Sequence, residues 1–197
     1  MPFSYRSTGT SSGGATLVKQ PDLSILAGGT RPETDIYNIS AALPPQQKWT
    51  GVRLEVLSDD SLPMKGPGRQ DNGNLHLNEF QVLVAPRDPA AGTPPRPVRL
   101  ATPRADFNQA GWTIEMAVDG NPGTAWGIFP EIGKSHLAVF EFAEPLQLGA
   151  DEILLVRIEQ THGRGHLIGR VRLAVTNPGP NLGPRAGSEG LPTAEKR

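Results

Sequence analysis

Two stretches of this chain concentrate side chains that can do chemistry. In "MAVDGNPGTAWGIFP", Met116 to Pro130, the residues Asp119, Asn121 and Thr124 crowd oxygen donors into a loop punctuated by Gly120, Pro122 and Gly123. A hard cation such as calcium takes about six to eight oxygen ligands, and carboxylate, amide, hydroxyl and backbone carbonyl oxygens form that donor set. Calcium held there would be structural, crosslinking loop backbone. The competing reading is a self-contained turn in which Asp119 caps its own backbone, the glycines take unusual dihedrals and Trp126 packs as core. In "QTHGRGHLIGR", His162 and His166 stand four residues apart. On a helix they would share a face and suit zinc, but Gly163 and Gly165 predict a hairpin loop that removes the alignment. No third ligand can be named nearby from the sequence.

Sugar recognition needs an aromatic face for apolar C–H patches and planar polar side chains for hydroxyls. Trp112, in the loop "NQAGWT", is the candidate platform, with Arg104, Asp106 and Gln109 close in sequence. His136 and His166 are placed on the same rim. The alternatives are a Trp112 that merely covers a sheet edge and a His136 that is a hydrogen-bonded structural residue. A glycoside hydrolase would need two carboxyl groups about 5 to 9.5 Å apart. Asp106, Asp119 and Glu131 are loop carboxylates, yet nothing marks a pair, and the "GxSxG" of a serine hydrolase is missing. The chain is therefore expected not to be an enzyme. "KGPGR", Lys65 to Arg69, lacks the preceding strand, following helix and Lys-Ser/Thr step of a phosphate loop and reads as a long flexible connection.

The composition narrows the classes. With 19 Lys+Arg against 20 Asp+Glu, the formal charge is -1, so no broad basic field draws the chain to nucleic acid. The absence of cysteine removes disulfides, thiol catalysis and thiolate zinc sites. No apolar run approaches the roughly 20 residues that span a bilayer, and "MPFSYRSTGTSSGG" lacks the apolar stretch of a signal peptide. No membrane span is expected, and an export signal, if one exists, lies outside these residues.

The elements that position the candidate residues are short. In "TDIYNISA", Tyr37, Ile39 and Ala41 share a face; in "GVRLEVL", Val52, Leu54 and Val56 do. "EILLVRIEQ" and "HLIGRVRLAVT" alternate in the same way, while "HLAVFEFA" is apolar on both faces, as a central strand is. In "NLHLNEFQVLVA" the apolar phase slips by one residue, which predicts a β-bulge near Asn78 and Glu79. "ADFNQAG" allows one helical turn at most. Short strands divided by Gly and Pro, without helical crossovers, predict an all-β protein, an antiparallel jelly-roll-like β-sandwich. One domain over 15–176 is expected, with a Pro-rich internal connection at 86–99, a flexible arm at 1–14 and a flexible tail at 177–197.

"KQPDLSILAGGTRPETDIYNIS", "GVRLEVLSDDSLPMKGPGRQDNGNLHLNEFQV", "MAVDGNPGTAWGIFPEIGKSHLAVFEF" and "IEQTHGRGHLIGRVRLAVT" together resemble an uncharacterised β-sandwich module of large exported planctomycete-type proteins that also carry cytochrome-c-like domains. More distantly, "AVDGNPGTAW" is similar to the signature of the discoidin and galactose-binding-like superfamily, which includes carbohydrate-binding modules. The resemblance implies a secreted, periplasmic or cell-surface module of a longer protein, on a fold shared by binding modules; with Trp112 and its polar neighbours, the expected function is noncatalytic recognition of polysaccharide or cell-surface glycan through loops at one end of the sandwich. The resemblance also implies calcium at the "DGNPGTAW" loop with help from Glu79 in "LNEFQV", although Glu79 precedes that loop here, unlike the lectin order. The alternative to this reading is a structural domain that docks against neighbouring domains of a parent protein without sugar binding, and a third is a glycoside hydrolase built on the loop carboxylates named above.

Overall fold

Alternation of aliphatic with polar side chains forces half-buried strands, and here two such layers close on one apolar core. The computed structural model describes residues 8–177. One sheet runs in the order β1 (Thr8–Ser11), β4 (Asp35–Ala41), β12 (Glu152–Gln160), β7 (Glu79–Pro86) and β8 (Arg96–Pro97). The other runs β2 (Ala15–Lys19), β3 (Ile25–Gly29), β13 (Arg170–Thr176), β5 (Lys48–Val56), β11 (His136–Gln147) and β9 (Arg104–Ala105). A two-stranded ribbon, β10 (Trp126–Gly127) with β6 (His76–Leu77), completes the set. The pairings are antiparallel throughout. The protein is an all-β sandwich, and no helix among the described residues is long and apolar enough to cross a membrane.

The alternating faces lie where their periodicity puts them. Tyr37, Ile39, Val52, Leu54, Val56, Leu154, Val156 and Ile158 are all buried, and Phe80 of β7 stacks on Phe140 of β11 with ring centroids 3.8 Å apart, joining the two sheets. Tyr37 reaches across to donate its hydroxyl to the Ile168 carbonyl at 3.0 Å. β11, apolar on both faces, is an inner strand between β5 and β9. Trp49 and Trp126 are both fully buried.

Several local expectations are corrected. The phase slip near Asn78 is a break between two strands rather than a bulge inside one: β6 pairs with β10, and β7 starts afresh against β12. Residues 8–11, expected in a flexible arm, form β1 against β4. "KGPGR" is a packed segment, with residues 66–69 buried and Gly68 bridged to Ile168. The helical turn expected in "ADFNQAG" forms later, as a 3-10 turn at Ile114–Val118. The Pro-rich connection keeps β8 at a sheet edge, where a proline's missing N–H costs no ladder bond, and then crosses to the other sheet, with Leu100 bridging Phe142. The tail expected at 177–197 lies outside the described residues apart from Asn177, as do residues 1–7 of the arm.

At one end of the sandwich β7, β11 and β13 begin and β5 and β12 finish. There the side chain of Asn78, 1 % exposed, joins three segments. Its amide NH2 donates to the carbonyls of Pro122 at 3.0 Å and Thr124 at 2.9 Å, and its oxygen accepts from the backbone N–H of Thr161 at 2.7 Å and His162 at 3.0 Å. Asn78→Ala strands all four backbone groups at once, and we expect a loss of about 3 kcal/mol in urea denaturation. A midpoint unchanged from the parent protein would show that water replaces these bonds at no cost.

Candidate functional site

The end of the sandwich anchored by Asn78 carries three histidines and a tryptophan in ring contact. His76 belongs to β6, and its backbone N–H donates to the His166 carbonyl at 2.9 Å. The ribbon is thereby tied to the loop between β12 and β13. That loop turns through Gly163, Arg164 and Gly165, all at positive φ (92°, 55° and 67°), a run that glycine makes accessible. It brings His162 and His166 back to the same place, with centroids 5.2 Å apart. The glycine loop therefore joins the two histidines, contrary to the separation expected once the helix was excluded. At Gly127, paired with His76, the approach is close: a Cβ there would lie 2.6 Å from Gln109 Oε1 and 3.1 Å from His76 Cδ2, and would displace the Gln109 amide.

His76 stacks on Trp112 at 4.5 Å and on His166 at 4.6 Å, while His162 meets its edge at 4.0 Å. One ligand nitrogen from each of His76, His162 and His166 lies within 4.8 Å of the others. His76 is buried, His166 half-buried and His162 exposed. Both ring nitrogens of His76 lack a hydrogen-bond partner, a condition that costs about 1–3 kcal/mol for a buried polar group. Burial, and then the neighbouring histidines, push the His76 pKa down to about 3. His162 is also lowered, by burial first and then by His166 and Arg164. His166 Nδ1 lies 3.0 Å from the Gly163 carbonyl. A proton on Nδ1 satisfies that contact and leaves the Nε2 lone pair free, which is the outer-sphere arrangement that orients a ligating imidazole. Neutral imidazoles of this kind suit zinc, copper, nickel or iron.

The sequence names His162 and His166 without a third partner. His76 supplies one, from a strand 86 positions before His162 in the chain. Only the alternation of "NLHLN" marked His76, and that pattern reads equally as a strand residue.

The other candidates divide among separate places. Trp112 and His166 lie in the cluster, and Gln109 supports it: Gln109 Oε1 accepts from Asn74 Nδ2 at 3.2 Å and from the Phe129 backbone N–H at 3.1 Å. Arg104, Asp106 and His136 gather instead around β9 and the start of β11. Arg104 pairs with Glu141. Asp106 accepts from the Leu137 backbone N–H at 3.1 Å and lies 3.4 Å from His136 Nδ1. His136 Nε2 is 2.8 Å from the Glu131 carbonyl. Burial pulls the His136 pKa down, but Asp106 and that carbonyl outweigh it and hold the ring above its ordinary value.

In the "DGNPGTAW" loop the oxygen donors largely serve the loop itself. Asp119 accepts from the Asn121 backbone N–H and from the Thr124 hydroxyl, both at 2.8 Å, and Asn121 Oδ1 accepts from the Gly123 N–H at 3.0 Å. Glu79 does lie beneath this loop: the Gly120 and Asn121 N–H groups act on its carboxylate, with Asp119 and Glu159 nearby. It is 7 % exposed, and Oε1 has no hydrogen-bond partner. Comparison of the chain with family models, curated proteins and solved structures finds no match.

Burial, then the charges of Asp119 and Glu159, hold the Glu79 pKa above its ordinary value of 4.5. The folded state then keeps a proton that the unfolded state releases, so stability falls as pH rises from 4.5 through the folded value. Glu79→Gln removes this dependence. The melting temperature of the parent protein relative to the variant should decline across that window, and a difference constant with pH would contradict the assignment.

Proposed function

We propose that the chain is a noncatalytic, metal-binding β-sandwich module whose His76, His162 and His166 hold one divalent ion of the zinc–copper class. The observation that carries this reading is the buried, doubly unpartnered His76 imidazole meeting two further histidines within 4.8 Å. A metal ion supplies the partner that one His76 nitrogen lacks. The donor set decides the class: three imidazoles, with no thiol in the chain and no carboxylate in the group, favour a borderline transition ion over calcium. A tetrahedral ion with bonds of about 2.0–2.1 Å brings its ligand nitrogens to roughly 3.3 Å apart. An inward swing of the exposed His162 closes the remaining distance, and the ion draws the β6–β10 ribbon and the β12–β13 loop together.

Zinc or copper should bind at one ion per chain in native mass spectrometry. An ion that binds only the folded state adds about 2.7 kcal/mol at a hundredfold excess over Kd, so the melting temperature should rise by several degrees. Copper should also quench Trp112 fluorescence. His162→Ala, at an exposed position, tests the site without threatening the fold and should abolish all three effects, whereas calcium should not reproduce the quenching. Unchanged melting and fluorescence with zinc, copper and nickel alike would overturn the reading.

Glycan recognition at the same face, on a jelly-roll-like, galactose-binding-like sandwich, is the second reading. It is favoured by the half-buried Trp112 and by Phe129, which is 49 % exposed and joined to the Trp112 loop through Gln109. Retention on a polysaccharide array should then be lost in Phe129→Ala. Equal retention by parent and variant would count against it.

A further inference from the structure

We propose that the metal centre is open and that its remaining position takes a carboxylate, clamped on the far side by Arg164. The inference rests on the metal reading above and deepens it by naming the ligand class. Only three protein ligands converge among the described residues, and a zinc-class ion with three protein ligands keeps a fourth position for a ligand from solution. The exposed His162 marks the side on which the group meets solvent.

Arg164 stands between the two loop ligands, two residues from each. Its backbone is held from both directions: the N–H donates to Glu33 Oε2 at 2.8 Å, and the carbonyl accepts from Gln70 Nε2 at 2.8 Å. Its guanidinium is exposed and forms no ion pair among the described residues, and its charge already acts on His162.

Three neutral imidazoles leave the ion's double positive charge uncompensated, and the Arg164 guanidinium, whose charge reaches His162, adds repulsion. An anion between the two reverses the sign of both interactions. A carboxylate fits best because one oxygen can ligate the metal while the planar group meets the guanidinium fork. The internal carboxylate bonded to the loop, Glu33, already has its Oε2 engaged by the Arg164 N–H. Trp112, stacked on His76 and edge-on to His162, supplies an apolar wall for the body of the ligand.

The test uses the full chain loaded with cobalt(II), whose visible band reports coordination. Acetate and glucuronate, titrated at constant ionic strength against chloride, should each shift the band, and glucose should not. Arg164→Gln should bind cobalt as the parent does yet weaken acetate about tenfold. Glucuronate binding more tightly than acetate assigns the source to an acidic sugar seated on Trp112; equal binding assigns it to a small free acid. A cobalt band that acetate leaves unmoved, or moves equally in both proteins, overturns the carboxylate site while sparing the metal. No cobalt band at all overturns the metal reading, and the carboxylate site with it.

Discussion

One buried amide organises the histidine-bearing end of this molecule. Asn78 has two donor hydrogens and two acceptor lone pairs, and all four meet backbone groups from two different loops. Its own N–H donates to Glu159, which anchors it to the last turn of the β12 ladder. A side chain saturated in this way can sit at only one place relative to those loops, and that place is set where β6 ends and β7 begins. The same residue therefore ends one strand pairing and starts another, and it delivers His162 to the neighbourhood of His76.

The cluster sits on this frame at an energetic cost. A histidine with two unpartnered buried nitrogens is tolerated only where the surrounding structure over-determines its position. Here the stacking of His76 on Trp112 and His166, the close approach at Gly127 and the β6–β10 pairing hold it. The low basicity of His76 follows from the same burial and keeps its lone pair available over a wide pH range, as a metal ligand requires. By contrast, the polar groups of the "DGNPGTAW" loop are mostly spent on one another, and Glu79 below it keeps one unpartnered oxygen and a raised pKa from its burial. Two oxygen- and nitrogen-rich loops at one end of a sandwich thus have opposite characters: one closed on itself, the other left with unused donors.

Much of the architecture was legible because a strand's side-chain period is local. Each of Tyr37, Val52, Leu154 and Val171 could be assigned to a buried face from its neighbours two residues away, and the solvent-averse sides of β4, β5, β12 and β13 follow. The slip at Asn78 was visible too, but a bulge and a strand exchange leave the same trace in one dimension. "KGPGR" misled because glycine and proline announce a turn without saying whether the turn is packed upon. Gly73 and Asn74 pack directly on it, and its backbone bonds run to Leu167 and Gly169, about a hundred residues away.

By itself the sequence determined an all-β chain, the inward faces of its strands and the presence of a glycine-rich turn bearing His162 and His166. These depend on dihedral preferences and hydrophobic alternation, both of which act over a few residues. Only the tertiary structure decided that His76 completes the triad, that Arg104, Asp106 and His136 belong to another edge, and that Glu79 lies under the Asp119 loop. Antiparallel pairing brings together residues at any separation along the chain, so the partners of a side chain are fixed by which strands adjoin and in what register. No local pattern carries that information.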